Sequence, residues 1–386
     1  MKRMRLMRLI GLMGLVGLVG LMASCQSDEM SITEPVTVEI MSYVPAFESY
    51  VAHGANKANE TNRVKKTWAP PVGYTTYEDD SQTIGISFTR NGEAPMYGHF
   101  FKSSGKWRTN LDELSATTYY LYGYIPHISG ISCSITDCDG TNTGYSSGAI
   151  MTLSNVPTVM ANDLCTVIGA KDGTDEETVT GLRSGAFAYT AKATSGVDSK
   201  GNYVFLLFDH LYASLRLRIR VHENYDNLRT IKLKRLQLQT KADDTPNKKK
   251  TTIAITLKAT DGSNPSESPI TDITFTPTGE DMDDGIVFWS SAGETLTTDF
   301  SLYVGHFMTK DISKLVLTST YDVYDKKGNL VRPDCQARNT LVMEDVFSGQ
   351  ATARRGCSYT VNMTIKPTFL HVMSDPDLDN PNVVVD

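Results

Sequence analysis

The sequence predicts an all-β protein of two antiparallel β-sandwich domains in tandem, behind a cleavable leader. Three observations predict it. Apolar and polar residues alternate in many short runs, and clusters of Gly, Asn, Asp and Ser punctuate them. Long helical patterns are missing. After the leader about 360 residues remain, which suits two cores better than one.

The leader comes first. Lys2, Arg3, Arg5 and Arg8 precede an uncharged apolar run from Leu9 to Ala23. A basic start, a short apolar core and a small-residue exit describe a secretory signal peptide. A membrane-spanning helix needs about 20 apolar residues, more than this run holds. The exit, Leu21-Met22-Ala23-Ser24-Cys25, resembles a lipobox, the signal of bacterial lipoproteins. That resemblance implies removal of residues 1–24 and acylation of Cys25.

The strands follow in chain order. Val36, Val38 and Ile40 interleave with Thr37 and Glu39, and Ile84, Ile86 and Phe88 repeat the pattern. Leu215, Leu217, Ile219 and Val221 interleave with Arg216, Arg218, Arg220 and His222. Ile231 and Leu233 give way to Leu236 and Leu238, a change of phase that predicts a bulge. Tyr359, Val361, Met363 and Ile365 alternate with Thr360, Asn362, Thr364 and Lys366. Such runs have one wet and one dry face, the pattern of packed antiparallel sheets. The polar stretch TSGVDSKGN (Thr194 to Asn202) is the best boundary, giving domains over 25–199 and 200–386. KADDTPNKKK (Lys241 to Lys250) reads as a long exposed hairpin loop.

Composition and motifs narrow the function. The net charge is −7 although the leader is basic, so the remainder is acidic, which speaks against a nucleic-acid partner. The arginine row at Arg216 to Arg220 has no interleaved aromatics and reads as a solvated sheet face. GYSSG (Gly144 to Gly148) matches a nucleophile elbow around Ser146, but the flanks are loop and strand where a helix should follow. Asp375, Asp377 and Asp379 are spaced like calcium ligands, with Asp386 at the twelfth position. Asn380 replaces the turn glycine there, and a polar turn fits better. YYLYGYIP (Tyr119 to Pro126) reads as a strand whose tyrosines bury their ring bodies. Besides Cys25, five cysteines remain, and five cannot all pair. Cys133 with Cys138, and Cys335 with Cys357, fit disulfides in an oxidising compartment, and buried free thiols fit as well. No HExxH, paired CxxC or phosphate loop occurs, so neither an enzyme nor a metal or cofactor is expected.

Several stretches together resemble the fimbrillin family (FimA- and Mfa-like), the type V pilus subunits of Gram-negative gut and oral bacteria. They are the leader with LMASC, GKWRTNLDELSATTYYLYGYIP (Gly105 to Pro126), VFLLFDHLYASLRLRIRV (Val204 to Val221) and YTVNMTIKPTFLHVMSDPDLDNP (Tyr359 to Pro381). The resemblance implies two transthyretin-like sandwiches, export to the outer membrane as a lipoprotein held by its lipid, and polymerisation with other pilus subunits. It also implies an arginine- or lysine-specific protease that cuts after the first strand, so that lipid and strand leave and a strand from another subunit fills the groove. Residues 34–44 supply the removable strand, with Val36, Val38, Ile40 and Val44 on one face. The polar loop 53–67 supplies the cut, at Arg63 by preference and at Lys65 or Lys66 otherwise. Phe369, Leu370, Val372, Val383 and Val385 are candidate donor-strand residues. A basic loop and an ordinary closing strand pair favour a stalk over a tip or anchor subunit. Two rival classes remain. A monomeric glycan-binding lipoprotein would expose Trp68, Trp107, Tyr119 or Tyr122, and a secreted hydrolase would depend on Ser146.

Overall fold

The computed structural model describes residues 37–52, 74–76, 82–103, 105–111, 115–141, 143–173, 181–191, 203–264, 267–366 and 382–385. They belong to one compact unit, Val36–Asp386. The leader with Cys25, Val36, the loop 53–67 with Arg63, Lys65 and Lys66, Trp68, and the expected boundary TSGVDSKGN lie outside the described residues. So do Phe369, Leu370, Val372 and the acidic run Asp375 to Asp379 with Asn380 and Asp386.

Among the described residues the protein is all-β, with two helical turns, Glu223–Asp226 and Met343–Val346. Four sheets form. The first orders its strands Cys165–Gly173, Tyr203–His210, Thr37–Pro45 (β1), Lys106–Thr109, Met96–Ser103, Ile84–Thr89, Thr118–Ile125 and Ala188–Thr190. It closes on itself, because Cys165 and Thr166 also pair with Ile125 and Tyr124. Alternate residues of its strands (Ile40, Ile86, Phe88, Leu121, Val167, Leu206) gather in one cluster. Their neighbours Tyr43, Tyr122, Phe205 and Leu207 turn the other way, onto Met151, Leu153, Ile253 and Ile255 of the sheet built from Gly148–Pro157 and Lys248–Lys258. The third core lies between Ala213–Val221 and Cys357–Lys366 on one side and Arg229–Ala242 and Lys314–Asp325 on the other. Strands on either side of residue 200 share sheets: Cys165–Gly173 pairs with Tyr203–His210, and Gly148–Pro157 with Lys248–Lys258.

Among the described residues most pairs are antiparallel, but three are parallel: β1 with Tyr203–His210, Ala213–Val221 with Cys357–Lys366, and Glu48–Val51 (β2) with Cys357–Lys366. Side-chain alternation has the same period in both kinds of ladder, so the sequence cannot separate them. The bulge stands where the phase changes, with register shifts between Leu233 and Arg235 against both neighbouring strands. KADDTPNKKK is not a long loop. Lys241 and Ala242 pair with Pro246 and Thr245 across a tight turn at Asp243, whose φ is 52°, and its three consecutive lysines begin the strand Lys248–Lys258. Asp tolerates that left-handed backbone, so a polar run becomes a turn followed by ladder. The arginine row is not simply solvated either, since Arg218 and Arg220 lie 4.8 and 4.5 Å from the ring centre of Phe300.

Candidate functional site

The polar side chains gather where the N-terminal segment passes from one sheet to another. β1 ends at Pro45, β2 starts at Glu48, and Ala46 and Phe47 link them. β1 is flanked along its length. Glu39 to Tyr43 pair with Tyr203 to Leu207, while Thr37 and Val38 pair with Arg108 and Trp107, and Tyr43 to Pro45 with Thr76 to Tyr74. Both faces of the strand are packed: Ile40 and Val44 join one cluster, Met41 and Tyr43 the other. The expected one-sided strand is therefore two-sided, and among its described side chains the most buried is Tyr43, at 0% exposure against 7% for Ile40.

The end of β1 is held by a relay. His210 Nε2 donates to the Pro45 carbonyl at 2.7 Å, and Nδ1 donates to Asp163 Oδ2 at 2.6 Å. A carbonyl and a carboxylate only accept, so a ring that meets both carries a proton on each nitrogen. The arrangement is an imidazolium against a carboxylate. Burial alone would raise the Asp163 carboxyl, but the hydrogen bond and charge of His210 hold it below the usual carboxylate range. Burial also opposes the charged ring, yet Asp163 outweighs it and lifts His210 above the ordinary histidine value. Phe47 stacks on the His210 ring at 3.7 Å and lies 6.0 Å from His306. Burial lowers the pKa of His306, whose Nδ1 donates to Ala161 at 3.0 Å. Arg355 donates to Asp209 and to the His210 carbonyl, at 2.8 and 2.9 Å. The buried Cys165 thiol donates to Asp163 at 3.1 Å, and burial pushes its pKa well up.

β2 is held differently. Its backbone lies parallel to Cys357–Lys366, and its amides extend the ladder through Glu48 to Gly356 and Ala52 to Thr360, both at 2.9 Å. Arg354 bonds Glu48 at 3.0 Å and the Tyr50 hydroxyl at 2.6 Å, and Tyr50 donates to Glu48 at 2.5 Å. The Tyr50 hydroxyl leads the groups that lower the Glu48 pKa. The other edge of Cys357–Lys366 is taken by Ala213–Val221 from Ser358 to Ile365. β2 therefore shares its edge with Asn382–Val385, which pairs with Met363 to Lys366. Val383 and Val385 stand opposite Ile365 and Met363.

Of the residues expected from sequence, Val38, Ile40 and Val44 lie together on β1, and Val383 and Val385 lie on the strand beside β2's edge. Asp163, His210 and Phe47 went unread. The available signal was an Asp-His pair closing an apolar run, since a buried histidine needs partners. Its partner is 47 residues away. The rival sites look different. Ser146 is exposed in a turn before the strand Gly148–Pro157, and its Oγ accepts from Asn91 at 3.3 Å. Trp107, Tyr119 and Tyr122 are buried, with Tyr122 donating to the Tyr145 carbonyl at 2.6 Å. Cys133, Cys138, Cys165, Cys335 and Cys357 are free thiols, the last three buried and the first two half-buried, so neither expected disulfide forms among the described residues.

No family model matches the chain, and no curated protein matches it. Solved structures give distant likenesses. A candidate cell adhesion protein from Bacteroides fragilis is 10% identical over 90% of this chain and 97% of its own, with a TM-score of 0.34. The fimbrial anchor protein Mfa2 from Porphyromonas gingivalis is 10% identical over 89% of this chain and 95% of its own, with a TM-score of 0.24. The tip fimbrial protein Mfa3 from the same organism, truncated at its C terminus, is 8% identical over 90% of this chain and 98% of its own, with a TM-score of 0.22. These superpositions are too loose to carry an argument, so function rests on this chain's own residues.

Proposed function

We propose that the chain is a structural subunit of a cell-surface pilus, a stalk subunit, exported as a lipoprotein acylated at Cys25 and assembled by strand replacement after cleavage at Arg63. The observation that carries this reading is the double seating of β1 and β2. Both precede Arg63, and each pairs in parallel with a strand from far along the chain, Tyr203–His210 for β1 and Cys357–Lys366 for β2. Withdrawing them would uncover the edges of Tyr203–His210 and Cys357–Lys366 together with the sites of Ile40, Met41, Tyr43 and Val44. An uncovered edge with unpaired N–H and C=O groups accepts a strand readily. Each large side chain seated there contributes roughly 1.5–3 kcal/mol, offset in part by the cost of association. The buried Trp107, Tyr119 and Tyr122 weigh against a glycan-binding platform.

Mild trypsin treatment of the chain lacking residues 1–24 tests the proposal. One nick near Arg63, loss of the fragment bearing β1 and β2, and concentration-dependent ladders on an unheated gel are expected. A nicked protein that keeps its fragment, or loses it and stays monomeric at high concentration, would overturn the stalk role.

A further inference from the structure

Fastening Pro45 requires only His210 and its carboxylate, yet a third donor of a different kind completes the cluster. The Cys165 sulfur lies 3.1 Å from Asp163 Oδ2 and 3.6 Å from His210 Nδ1, and the ligand atoms of all three residues lie within 4.8 Å of one another. The pairing of Cys165 with His210 across adjacent strands fixes this closeness, and Asp163 sits two residues before Cys165.

We propose that Asp163, Cys165 and His210 bind one zinc-class divalent cation, which fastens the end of β1 to the body of the protein. Tetrahedral zinc at its usual bond lengths to N, O and S sets ligand separations of about 3.3–3.6 Å. Sulfur and imidazole already stand at 3.6 Å. The carboxylate must retreat by about 0.4–0.7 Å to reach those separations. Its Oδ1 is buried with no hydrogen-bond partner among the described residues, so a second oxygen is available to the ion. Nε2–H stays on the Pro45 carbonyl, the partner a metal-bound imidazole ordinarily keeps on its far side.

The charges balance. Without the ion, imidazolium, carboxylate and thiol sum to zero. As the dication enters, the Nδ1 proton and the thiol proton leave to solvent, and bonds form to nitrogen, sulfur and carboxylate oxygen. Imidazole, carboxylate, thiolate and dication again sum to zero, so no net charge is buried. Thiolate with imidazole selects zinc-class ions over magnesium and calcium. The Asp163 side chain keeps 14% of its surface exposed against 3% for His210, which gives an ion its approach. The inference stands independently of the pilus reading.

The test uses chelator-treated protein lacking residues 1–24, titrated with Zn²⁺ or Co²⁺. At one equivalent, Co²⁺ is expected to give the visible spectrum of a tetrahedral site with a thiolate charge-transfer band. Zn²⁺ should displace it and raise the melting temperature, and Mg²⁺ and Ca²⁺ should do neither. Cys165→Ser, nearly isosteric, should lose the band and weaken Zn²⁺ binding at least tenfold, and Asp163→Asn should weaken it too. A wild-type protein without the thiolate band at one equivalent overturns the proposal without any variant. So does a band that survives in Cys165→Ser.

Discussion

β1 and β2 belong to one continuous segment, but they are held by different physics. β1 is a stave of a closed sheet, with neighbours on both edges and side chains packed on both faces. β2 runs along an outer edge, with Glu48 and Ser49 exposed, the Arg354–Glu48–Tyr50 group on its outer side, and the half-buried Tyr50 stacked on Tyr359 at 5.6 Å. Apolar burial and the buried ion pair at Pro45 fix the first half, while exposed charges contribute little to the second. A segment built this way loosens from β2 inward, and His210 is the last polar fastening before the packed strand.

The comparison can be broken most forcefully at His210. His210→Ala leaves the Asp163 carboxylate buried without its cation and the Pro45 carbonyl without its donor, so a loss of about 3–5 kcal/mol in urea unfolding is expected. Tyr43→Ala empties a fully buried site on β1 and should cost about 3–5 kcal/mol as well. Tyr43→Phe sharpens the point. The Tyr43 hydroxyl is buried with no hydrogen-bond partner among the described residues, so its removal should leave stability unchanged or raise it by about 1 kcal/mol. A marked loss in Tyr43→Phe would show that the hydroxyl is satisfied.

Acidity gives a smaller effect with a definite sign. In metal-free protein the folded pKa of His210 is raised, so its contribution is full below about pH 6.5 and is lost as pH climbs through the higher folded value. Asp163 is lowered, so its contribution is present above about pH 3.9 and is lost as pH falls through the folded value. The contribution of His210 should therefore decline as pH rises from about 6.5 through its higher folded value, a loss that His210→Ala does not show. The smallest effect belongs to β2. Arg354→Ala should leave global unfolding almost unchanged while amide exchange at Ala52, bonded to Thr360, quickens several-fold. Equal slowing or quickening at Ile40 and Ala52 would abolish the distinction between the two halves.

Much of the fold was legible because burial writes itself into alternation. Leu215 to Val221 and Tyr359 to Ile365 announced buried strands, and the phase change after Leu233 announced the bulge. Ile84 to Thr89 was legible only in part: Gly85, Ser87 and Thr89 are buried as well, because the closed sheet covers both faces. Strand order, parallel pairing and closure depend on contacts between distant segments, which a local pattern does not encode. β2 is four residues long, too short for a period to show. The relay joins Pro45, Asp163 and His210 from three separate parts of the chain, and no local spacing marks them.

The edge shared by β2 and Asn382–Val385 has a mechanical side. β2 runs parallel to Cys357–Lys366 and finishes with Val51 at Thr360; the last strand runs antiparallel and finishes with Val385 at Met363. The two exits face each other three positions apart, about 10 Å along the strand. Tension at the Val51 exit is borne first by the few ladder bonds of β2, and tension at the Val385 exit by those of Asn382–Val385, so both loads fall on the single strand Cys357–Lys366.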